Sequence, residues 1–176
     1  GTGGDLAFFR EHGADVHGID PSREMIAVAR NACPWAALSV QRCEKTDFPD
    51  TFFDVVCSKY ALNHATDLAA AWREIARICK PGADVALVIA HPLYELAFKP
   101  PSAAYGDGTR SPVPLWQGAM RIECPAHPLA AYFGPEMLSA FDILQFSEGP
   151  SAPTESAGMP WKVPYFFAMH LRRKVQ

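Results

Sequence analysis

The sequence predicts an α/β fold with a doubly wound, mostly parallel sheet that ends in an antiparallel pair of strands. Short apolar runs alternate with helical patterns up to about residue 90, which is typical of parallel βαβ units. A segment rich in proline and aromatic residues follows, and two long β-rich segments close the chain. The 176 residues are enough for a single domain over 1–176 with a substantial core.

The amino-terminal quarter contains four short elements. A helix is expected over Leu6–Glu11, and a strand over the segment ADVHGID at 14–20. Ser22 is a suitable N-cap for a second helix over 23–31, because its hydroxyl can accept from an N–H group of the first turn. The segment LSVQ at 38–41 is a plausible second strand.

The next elements are more strongly apolar. FFDVVCS at 52–58 is nearly continuous in apolar character, which is typical of a strand covered on both faces. A long helix is expected to begin at Asp67, because apolar residues recur after it at helical spacing. KPGA at 80–83 is expected to end that helix, and DVALVIA at 84–90 reads as a buried strand.

The amino-acid composition of the chain changes after residue 91. Twelve of the sixteen prolines lie between Pro92 and Pro164, together with many aromatic residues. We expect an irregular cap over 92–135, inserted before the last two strands. Those strands are FDILQFSE at 141–148 and YFFAMHLRRK at 165–174, and we expect them to pair in antiparallel fashion.

Composition argues for a reducing compartment and against several classes of partner. The net charge of −3, with no long basic run, disfavours nucleic acid as the main partner. The five cysteines are scattered and lack C-x-x-C spacing, and the six histidines lack metal-ligand spacing, so neither disulfides nor a metal are expected. The longest apolar run, Val85–Ala90, is far too short to span a membrane. A cytoplasmic location is therefore expected.

A glycine turn and an acid have the spacing of a nucleotide site. Gly1 and Gly3 precede a helix, where backbone N–H groups can approach a ligand closely. Asp20 ends the next predicted strand, where a carboxylate can accept from two ribose hydroxyls. Leu6 stands where a dinucleotide loop would have its last glycine, which counts against NAD.

Five segments in this order resemble the class I S-adenosylmethionine-dependent methyltransferases. They are GTGG (1–4), GIDPSREMIAVAR (18–30), DFPDTFFDVVCS (47–58), WREIARICKPGADVALVI (72–89) and VPYFFAMHLRRK (163–174). The resemblance is greatest to the small-molecule branch that includes the ubiquinone- and menaquinone-biosynthesis enzymes, and it implies a Rossmann-like fold. In that family a first strand and one more glycine precede Gly1. We therefore expect the chain to be truncated at its N-terminus and to lack the first strand of the sheet.

The resemblance implies S-adenosylmethionine as the cofactor, with S-adenosylhomocysteine as the product. The implied cofactor residues are Gly1, Thr2, Gly3, Asp20, Pro21, Met25, Arg42, Cys43, Glu44 and Ser58. Gly1–Gly3 would lie under the ribose and methionine parts, Asp20 would bind the ribose, and Ser58 would border the sulfonium.

The adenine end departs from the family pattern. Arg42 stands where the family usually has an Asp, so Arg42 is expected either to stack on the ring or to leave recognition to its neighbours. Those neighbours are the backbone of Cys43 and the side chain of Glu44. Pro21 and Met25 are expected either to pack on the adenine or to serve only the helix start. Cys43 is not expected to be a nucleophile, because no base is visible near it.

Polar residues after two predicted strands are the catalytic candidates. Asn63 and His64 follow the strand at 52–58, on the loop that the family turns towards its substrate. His64 is expected either to act as a general base or to cap the following helix. His91, just beyond the strand at 84–90, is a second candidate. His127 lies in a proline-rich stretch and is expected at the surface.

The resemblance implies methyl transfer to a small-molecule acceptor by in-line displacement. Six aromatic residues of the cap are expected either to line an apolar or aromatic acceptor pocket or to bury the cap: Tyr94, Phe98, Tyr105, Trp116, Tyr132 and Phe133. Two other functions stay open, a non-catalytic scaffold with this fold and an NAD-dependent oxidoreductase. Unpaired strand edges also make an oligomer possible.

Overall fold

The computed structural model describes residues 1–96, 104–115, 120–152 and 162–175, and it leaves out the side chains of 111–122 and 151–152. The chain divides into two compact units, Gly1–Asp47 and Phe48–Gln176. The single-domain organisation stays a prediction. No helix among the described residues is both long enough and apolar enough to cross a bilayer.

The first unit contains two helices and a pair of parallel strands. Its elements are α1 (Leu6–Glu11), β1 (His17–Asp20), α2 (Arg23–Ala32) and β2 (Ala37–Val40). β1 pairs with β2 in parallel, with His17 opposite Ala37 and Asp20 opposite Val40. The Ser22 hydroxyl accepts from the Met25 N–H at 3.2 Å, so the predicted N-cap of α2 is confirmed.

The second unit is built on a four-stranded sheet. Its elements are β3 (Phe53–Lys59), a 3₁₀ turn (Leu62–His64), α3 (Leu68–Ile78), β4 (Cys79–Ala90), α4 (Pro92–Leu96), β5 (Ser111–Leu115), β6 (Met120–Cys124), a second 3₁₀ turn (Leu129–Phe133), α5 (Pro135–Ala140), β7 (Phe141–Glu148), β8 (Ser151–Ala152), β9 (Val163–Pro164) and β10 (Phe166–Arg173). The strand order is β3-β4-β10-β7. β3 and β4 are parallel, and β10 runs antiparallel to both β4 and β7. The predicted antiparallel ending is confirmed, while β5–β6 and β8–β9 form separate antiparallel pairs.

The core of the second unit lies between this sheet and α3. The helix is capped by Asp67, whose Oδ1 accepts from the Ala70 N–H at 2.9 Å. Residues at helical spacing on α3 and every second residue of β4 and β10 are buried: Ala71, Trp72, Ile75, Val85, Leu87, Ile89, Phe167, Met169 and Leu171. Burying each large aliphatic side chain contributes about 1.5–3 kcal/mol, so this layer is the main stabilising element of the unit.

Two sequence expectations are wrong in this unit. β3 is not covered on both faces, because Val55, Cys57 and Lys59, which share one face of the strand, are exposed. The segment at 80–83 does not end α3, since the helix stops at Ile78 and Cys79 already pairs with Phe53 at the start of β4. The pairing then shifts register, which places Gly82, with a φ of +81°, in an irregularity of the strand.

Candidate functional site

Asp20 lies at the carboxyl end of β1, as expected from the sequence. Its Oδ1 accepts from the Ser22 N–H at 2.8 Å, and its Oδ2 contacts the Gly1 amino group. The side chain is 21% exposed. The first unit therefore brings the glycine turn and this carboxylate together, with part of the carboxylate still open to solvent.

The glycine turn is tied to both helices of the first unit. Gly3 has a φ of +85°, a left-handed conformation that favours glycine. Its carbonyl accepts from the Leu6 N–H at 3.0 Å, and a Cβ placed on it would lie 3.4 Å from both Ala29 Cβ and Cys33 Sγ. The turn thus packs against α2, while Thr2 beside it is exposed.

The predicted adenine residues form a small polar group after β2. Arg42 donates to Glu44 Oε1 at 2.7 Å, and the Cys43 thiol lies 3.5 Å from Glu44 Oε2. Burial, followed by the neighbouring Glu44, raises the pKa of Cys43 to about 12, so the thiol is protonated at neutral pH. In this arrangement the Arg42 guanidinium is held by Glu44. Pro21 is exposed, and Met25 is partly buried on α2.

Strained backbone follows β3 in the second unit. Ser58, the sulfonium-end candidate, is the penultimate residue of β3 and is partly buried. Tyr60 has a φ of +53°, which is unfavourable for a residue with a side chain. Its N–H donates to the Val88 carbonyl at 2.7 Å, which holds the turn against β4. Such strain concentrates at functional sites, so it marks this turn as a candidate.

The turn leads into a buried polar cluster. Asn63 is 2% exposed, and its Nδ2 lies 3.3 Å from His64 Nε2 and donates to Glu95 Oε1 at 3.3 Å. His64 Nδ1 lies 3.4 Å from the Sγ of Cys124, which is buried. The His64 imidazole therefore contacts the Asn63 amide on one side and the Cys124 thiol on the other. This contact fixes the orientation of the His64 ring.

His91 also lies where the sequence placed it, directly after β4, and it is 1% exposed. Its Nδ1 accepts from the Leu93 N–H at 3.2 Å, so the ring proton of the neutral form is on Nε2. Nε2 lies 3.0 Å from Glu148 Oε1. Both ring nitrogens are thus engaged by the protein, which suits a residue that holds α4 and β7 in place.

Three further residues that the sequence singled out lie in the second unit. His127 is partly buried, and its Nε2 lies 2.7 Å from the Ala65 carbonyl, whereas the sequence suggested a surface position. Tyr132 is fully buried, and its ring lies 5.2 Å from that of Phe167. Phe133 packs 5.7 Å from Phe146. Two of the predicted aromatic residues, Phe98 and Trp116, lie outside the described residues.

Sequence reasoning missed Glu95 and Cys124 as members of this cluster. Glu95 is a charged residue in a short apolar helix and is only 2% exposed, a degree of burial that is unusual for an acidic side chain. Cys124 is sixty positions from His64 along the chain, and no local pattern connects them. Only the packing of β6 against the 3₁₀ turn at Leu62–His64 brings the two side chains together.

This chain is similar to known proteins both in sequence and in fold. Residues 1–87 match the family described as a methyltransferase domain. The chain also superposes on a putative S-adenosylmethionine-dependent methyltransferase from Listeria monocytogenes with a TM-score of 0.76 and 17% identity, over 99% of this chain and 87% of that one. The fold is that of the class I S-adenosylmethionine-dependent methyltransferases. An S-adenosylmethionine-dependent methyltransferase from Mesorhizobium loti gives a TM-score of 0.73 with 21% identity, over 98% of this chain and 87% of that one.

These matches confirm the resemblance and the Rossmann-like fold class expected from the sequence, and S-adenosylmethionine is the cofactor of this class. Curated relatives match slightly less than half of the chain. The demethylmenaquinone methyltransferase of Chlorobaculum parvum is 38% identical over 81 residues, 45% of this chain and 34% of that protein. Phosphoethanolamine N-methyltransferase 3 of Arabidopsis thaliana is 34% identical over 87 residues, 47% of this chain and 18% of that protein.

The matched segment thus spans about a third or less of these curated relatives. Their names also give them different acceptors, a demethylmenaquinone in one and phosphoethanolamine in the other. The names of these relatives therefore do not identify an acceptor for this chain.

Proposed function

We propose that this protein is an S-adenosylmethionine-dependent methyltransferase that acts on a small-molecule acceptor. The observation that carries the proposal is the position of the partly exposed Asp20 at the carboxyl end of β1, inside the segment that matches the methyltransferase domain. Asp20 is held by the Ser22 N–H yet remains 21% exposed, so its carboxylate can accept from a ribose diol.

The residues of the first unit fit the adenosyl group. Gly3 has a left-handed backbone and packs closely on α2, which gives the turn a fixed shape beside Asp20. At the adenine end, the Arg42–Glu44 pair presents a guanidinium plane and a carboxylate. Bound there, S-adenosylmethionine supplies an electrophilic methyl group on a positively charged sulfur.

Orientation is the main contribution expected from the protein. Because the leaving group is neutral, holding the acceptor atom close to the methyl group and in line with the sulfur supplies most of the acceleration. Well-oriented intramolecular reactions reach effective molarities of roughly 10⁵–10⁸ M. We assign this role to the side chains after β3, with Ser58 at the sulfonium end and Asn63 and His64 on the acceptor side.

His64 is the preferred candidate for a general base, should the acceptor be a hydroxyl. Its ring is oriented by Asn63 at 3.3 Å and by Cys124 at 3.4 Å, and it is only partly buried. His91 is the weaker candidate, because it is 1% exposed whereas His64 is only partly buried. The aromatic rings of Tyr132 and Phe133 favour an apolar or aromatic acceptor.

One observation keeps a non-catalytic binding role as a second candidate. Arg42 replaces the acid usual at the adenine position and is paired with Glu44, which weakens specific recognition of the adenine amino group. An NAD-dependent oxidoreductase is disfavoured, because Leu6, the first residue of α1, occupies the place of the third dinucleotide glycine.

Calorimetric titration of the complete gene product with S-adenosylhomocysteine and, separately, with NADH distinguishes these functions. We expect saturable binding of S-adenosylhomocysteine and no heat with NADH. If the folded protein binds neither ligand, the methyltransferase proposal is rejected and the non-catalytic scaffold role remains. If it binds only NADH, the proposal is overturned in favour of an oxidoreductase. Release of S-adenosylhomocysteine from S-adenosylmethionine in the presence of an acceptor panel then tests turnover.

A further inference from the structure

Three buried side-chain atoms lack a hydrogen-bond partner within the described part of the chain: Asn63 Oδ1, Trp72 Nε1 and the Tyr132 hydroxyl. Asn63 is 2% exposed and Tyr132 is 0% exposed. A buried polar group left without a partner costs about 1–3 kcal/mol. Such groups are rare in folded proteins, so each of them needs a physical reason.

Two of the three atoms, Asn63 Oδ1 and the Tyr132 hydroxyl, belong to residues that lie near Glu95 and Cys124. Asn63 Nδ2 donates to Glu95 Oε1 at 3.3 Å and lies 3.9 Å from Cys124 Sγ. Burial raises the pKa of Tyr132, and the next causes of that rise are the nearby Glu95 and Cys124. Asn63 thus contacts the carboxyl and thiol groups that also act electrostatically on the Tyr132 hydroxyl. Trp72, by contrast, packs on Phe141 in the helix–sheet core.

His127 also links the Tyr132 side chain to the turn that carries Asn63. The ring of Tyr132 lies 6.0 Å from the ring of His127. His127 Nε2 in turn lies 2.7 Å from the carbonyl of Ala65, two residues after Asn63. The 3₁₀ turn that carries Asn63 and the segment that carries Tyr132 are thus held next to each other by packing and by a hydrogen bond.

The hydrogen-bonding capacity of the two atoms defines what can satisfy them. An amide oxygen only accepts, so Asn63 Oδ1 requires a donor. A phenolic hydroxyl has a proton to donate, so Tyr132 requires an acceptor. One hydroxyl group can donate to the first and accept from the second, whereas a methyl group can do neither.

Charge and packing further restrict the class of ligand that could bind both atoms. A carboxylate or a phosphate would have to enter beside the carboxyl group of Glu95, which disfavours anions. The Tyr132 ring packs on Phe167 at 5.2 Å, and Phe146 lies 5.8 Å from Phe167. A neutral aromatic hydroxyl compound matches both the polar pair and its apolar surroundings.

We propose that Asn63 Oδ1 and the Tyr132 hydroxyl form a binding subsite for a neutral hydroxyl group on an aromatic molecule. The identification of this molecule with the methyl acceptor rests on the proposed function, whereas the subsite itself does not. Asn63 and Tyr132 act as binding residues here, and Glu95 and Cys124 position them.

The test uses phenol, toluene and benzoate as probes, titrated into the complete protein without any cofactor and followed by two-dimensional NMR. Phenol is expected to bind at least about tenfold more tightly than toluene, because toluene leaves both atoms unpaired. Benzoate is expected to bind more weakly than phenol. Tyr132→Phe is expected to bring the ratio of the phenol and toluene affinities close to one. Asn63→Leu is expected to lower this ratio as well.

Tyr165→Phe is the matched control, because it removes the same oxygen from a ring packed on Tyr94, at 6.4 Å. It is expected to keep the preference for phenol. Tyr132→Phe is expected to fold, since the lost hydroxyl has no hydrogen-bond partner among the described residues, and its melting temperature checks this. Equal affinity for phenol and toluene, or an undiminished preference in Tyr132→Phe, would mean that a buried water satisfies the pair, and the subsite would be rejected. Because no cofactor is present, this result is independent of the S-adenosylhomocysteine titration.

Discussion

The backbone N–H of Ser22 donates to Oδ1 of Asp20 at 2.8 Å, just beyond the end of β1. The same serine caps α2 through its hydroxyl, which accepts from the Met25 N–H. One residue therefore fixes both the start of the helix and the orientation of the carboxylate. Asp20 is preorganised to accept hydrogen bonds from a ligand, and this preorganisation is the basis of the predictions on the cofactor.

Asp20→Asn is expected to weaken S-adenosylhomocysteine binding by about 10- to 100-fold, because hydrogen bonds to a charged group are worth about 1.5–3 kcal/mol. Calorimetry measures the change. Asp15→Asn is the matched control, since the Asp15 side chain is 94% exposed shortly before the same strand. An equal loss of affinity in both variants would remove Asp20 from the site.

Gly3→Ala and Gly13→Ala together separate backbone strain from cofactor binding. Both glycines have a left-handed φ, +85° and +82°, so each substitution is expected to destabilise the fold by about 1–2 kcal/mol. Only Gly3→Ala is expected to weaken S-adenosylhomocysteine binding, because only Gly3 lies in the turn next to Asp20. Thermal melting and calorimetry on both variants check this, and equal affinities would argue against a role for the turn.

The elements that the sequence predicted well are those whose local pattern agrees with their tertiary environment. Leu6–Glu11 and Phe141–Glu148 have the predicted bounds, and α2 has the predicted N-cap. The start of β4 at Cys79 was missed, because the pairing of Cys79 with Phe53 overrides the turn signal of the following Lys-Pro-Gly. Tertiary pairing of this kind is not visible in a local pattern.

The candidate site was only partly predictable for a similar reason. Asp20, Asn63 and His64 follow strand ends, and ligands of doubly wound sheets bind where strands end, so position alone identified them. Cys124 reaches His64 only through the packing of β6, and Glu95 through the burial of α4. Contacts between residues thirty to sixty positions apart depend on the folded chain.

Asp84 gives the fold a pH-dependent contribution. Hydrogen bonds from Arg172 and then from His170, at 2.9 and 2.8 Å, lower the pKa of this carboxyl group. A lowered pKa stabilises the folded state above the unfolded pKa of about 3.9, and this stabilisation is lost as the pH falls through the lower folded value. The carboxyl group is 38% exposed, so screening limits the contribution to about 0.2–1 kcal/mol.

Asp84→Asn is therefore expected to be less stable than the unmodified protein at pH 5–7, with the difference shrinking below about pH 4. Urea unfolding at several pH values measures this. Asp54→Asn, which removes an exposed partner of Lys80, serves as a control with a smaller expected loss at pH 7. A difference for Asp84→Asn that grows as the pH is lowered would have the wrong sign.

The cysteines are expected to differ in their rate of alkylation. Burial raises the pKa of both Cys43 and Cys79 to about 12, so only about one thiol in 10⁴ is a thiolate at pH 8. Cys57 is exposed. Iodoacetamide followed by peptide mass mapping should modify Cys57 first and leave Cys43 and Cys79 largely unmodified. Rapid modification of Cys43 in the folded protein would revive it as a nucleophile, and a guanidinium-unfolded sample checks that all sites can react.

A crystal structure of the complete protein with S-adenosylhomocysteine tests the central claim most directly. The account predicts that both ribose hydroxyls lie within hydrogen-bonding distance of the Asp20 carboxylate and that the turn at Gly1–Gly3 contacts the ribose and homocysteine. A nucleoside bound away from Asp20, or a ribose whose hydroxyls are held by other side chains, would contradict it.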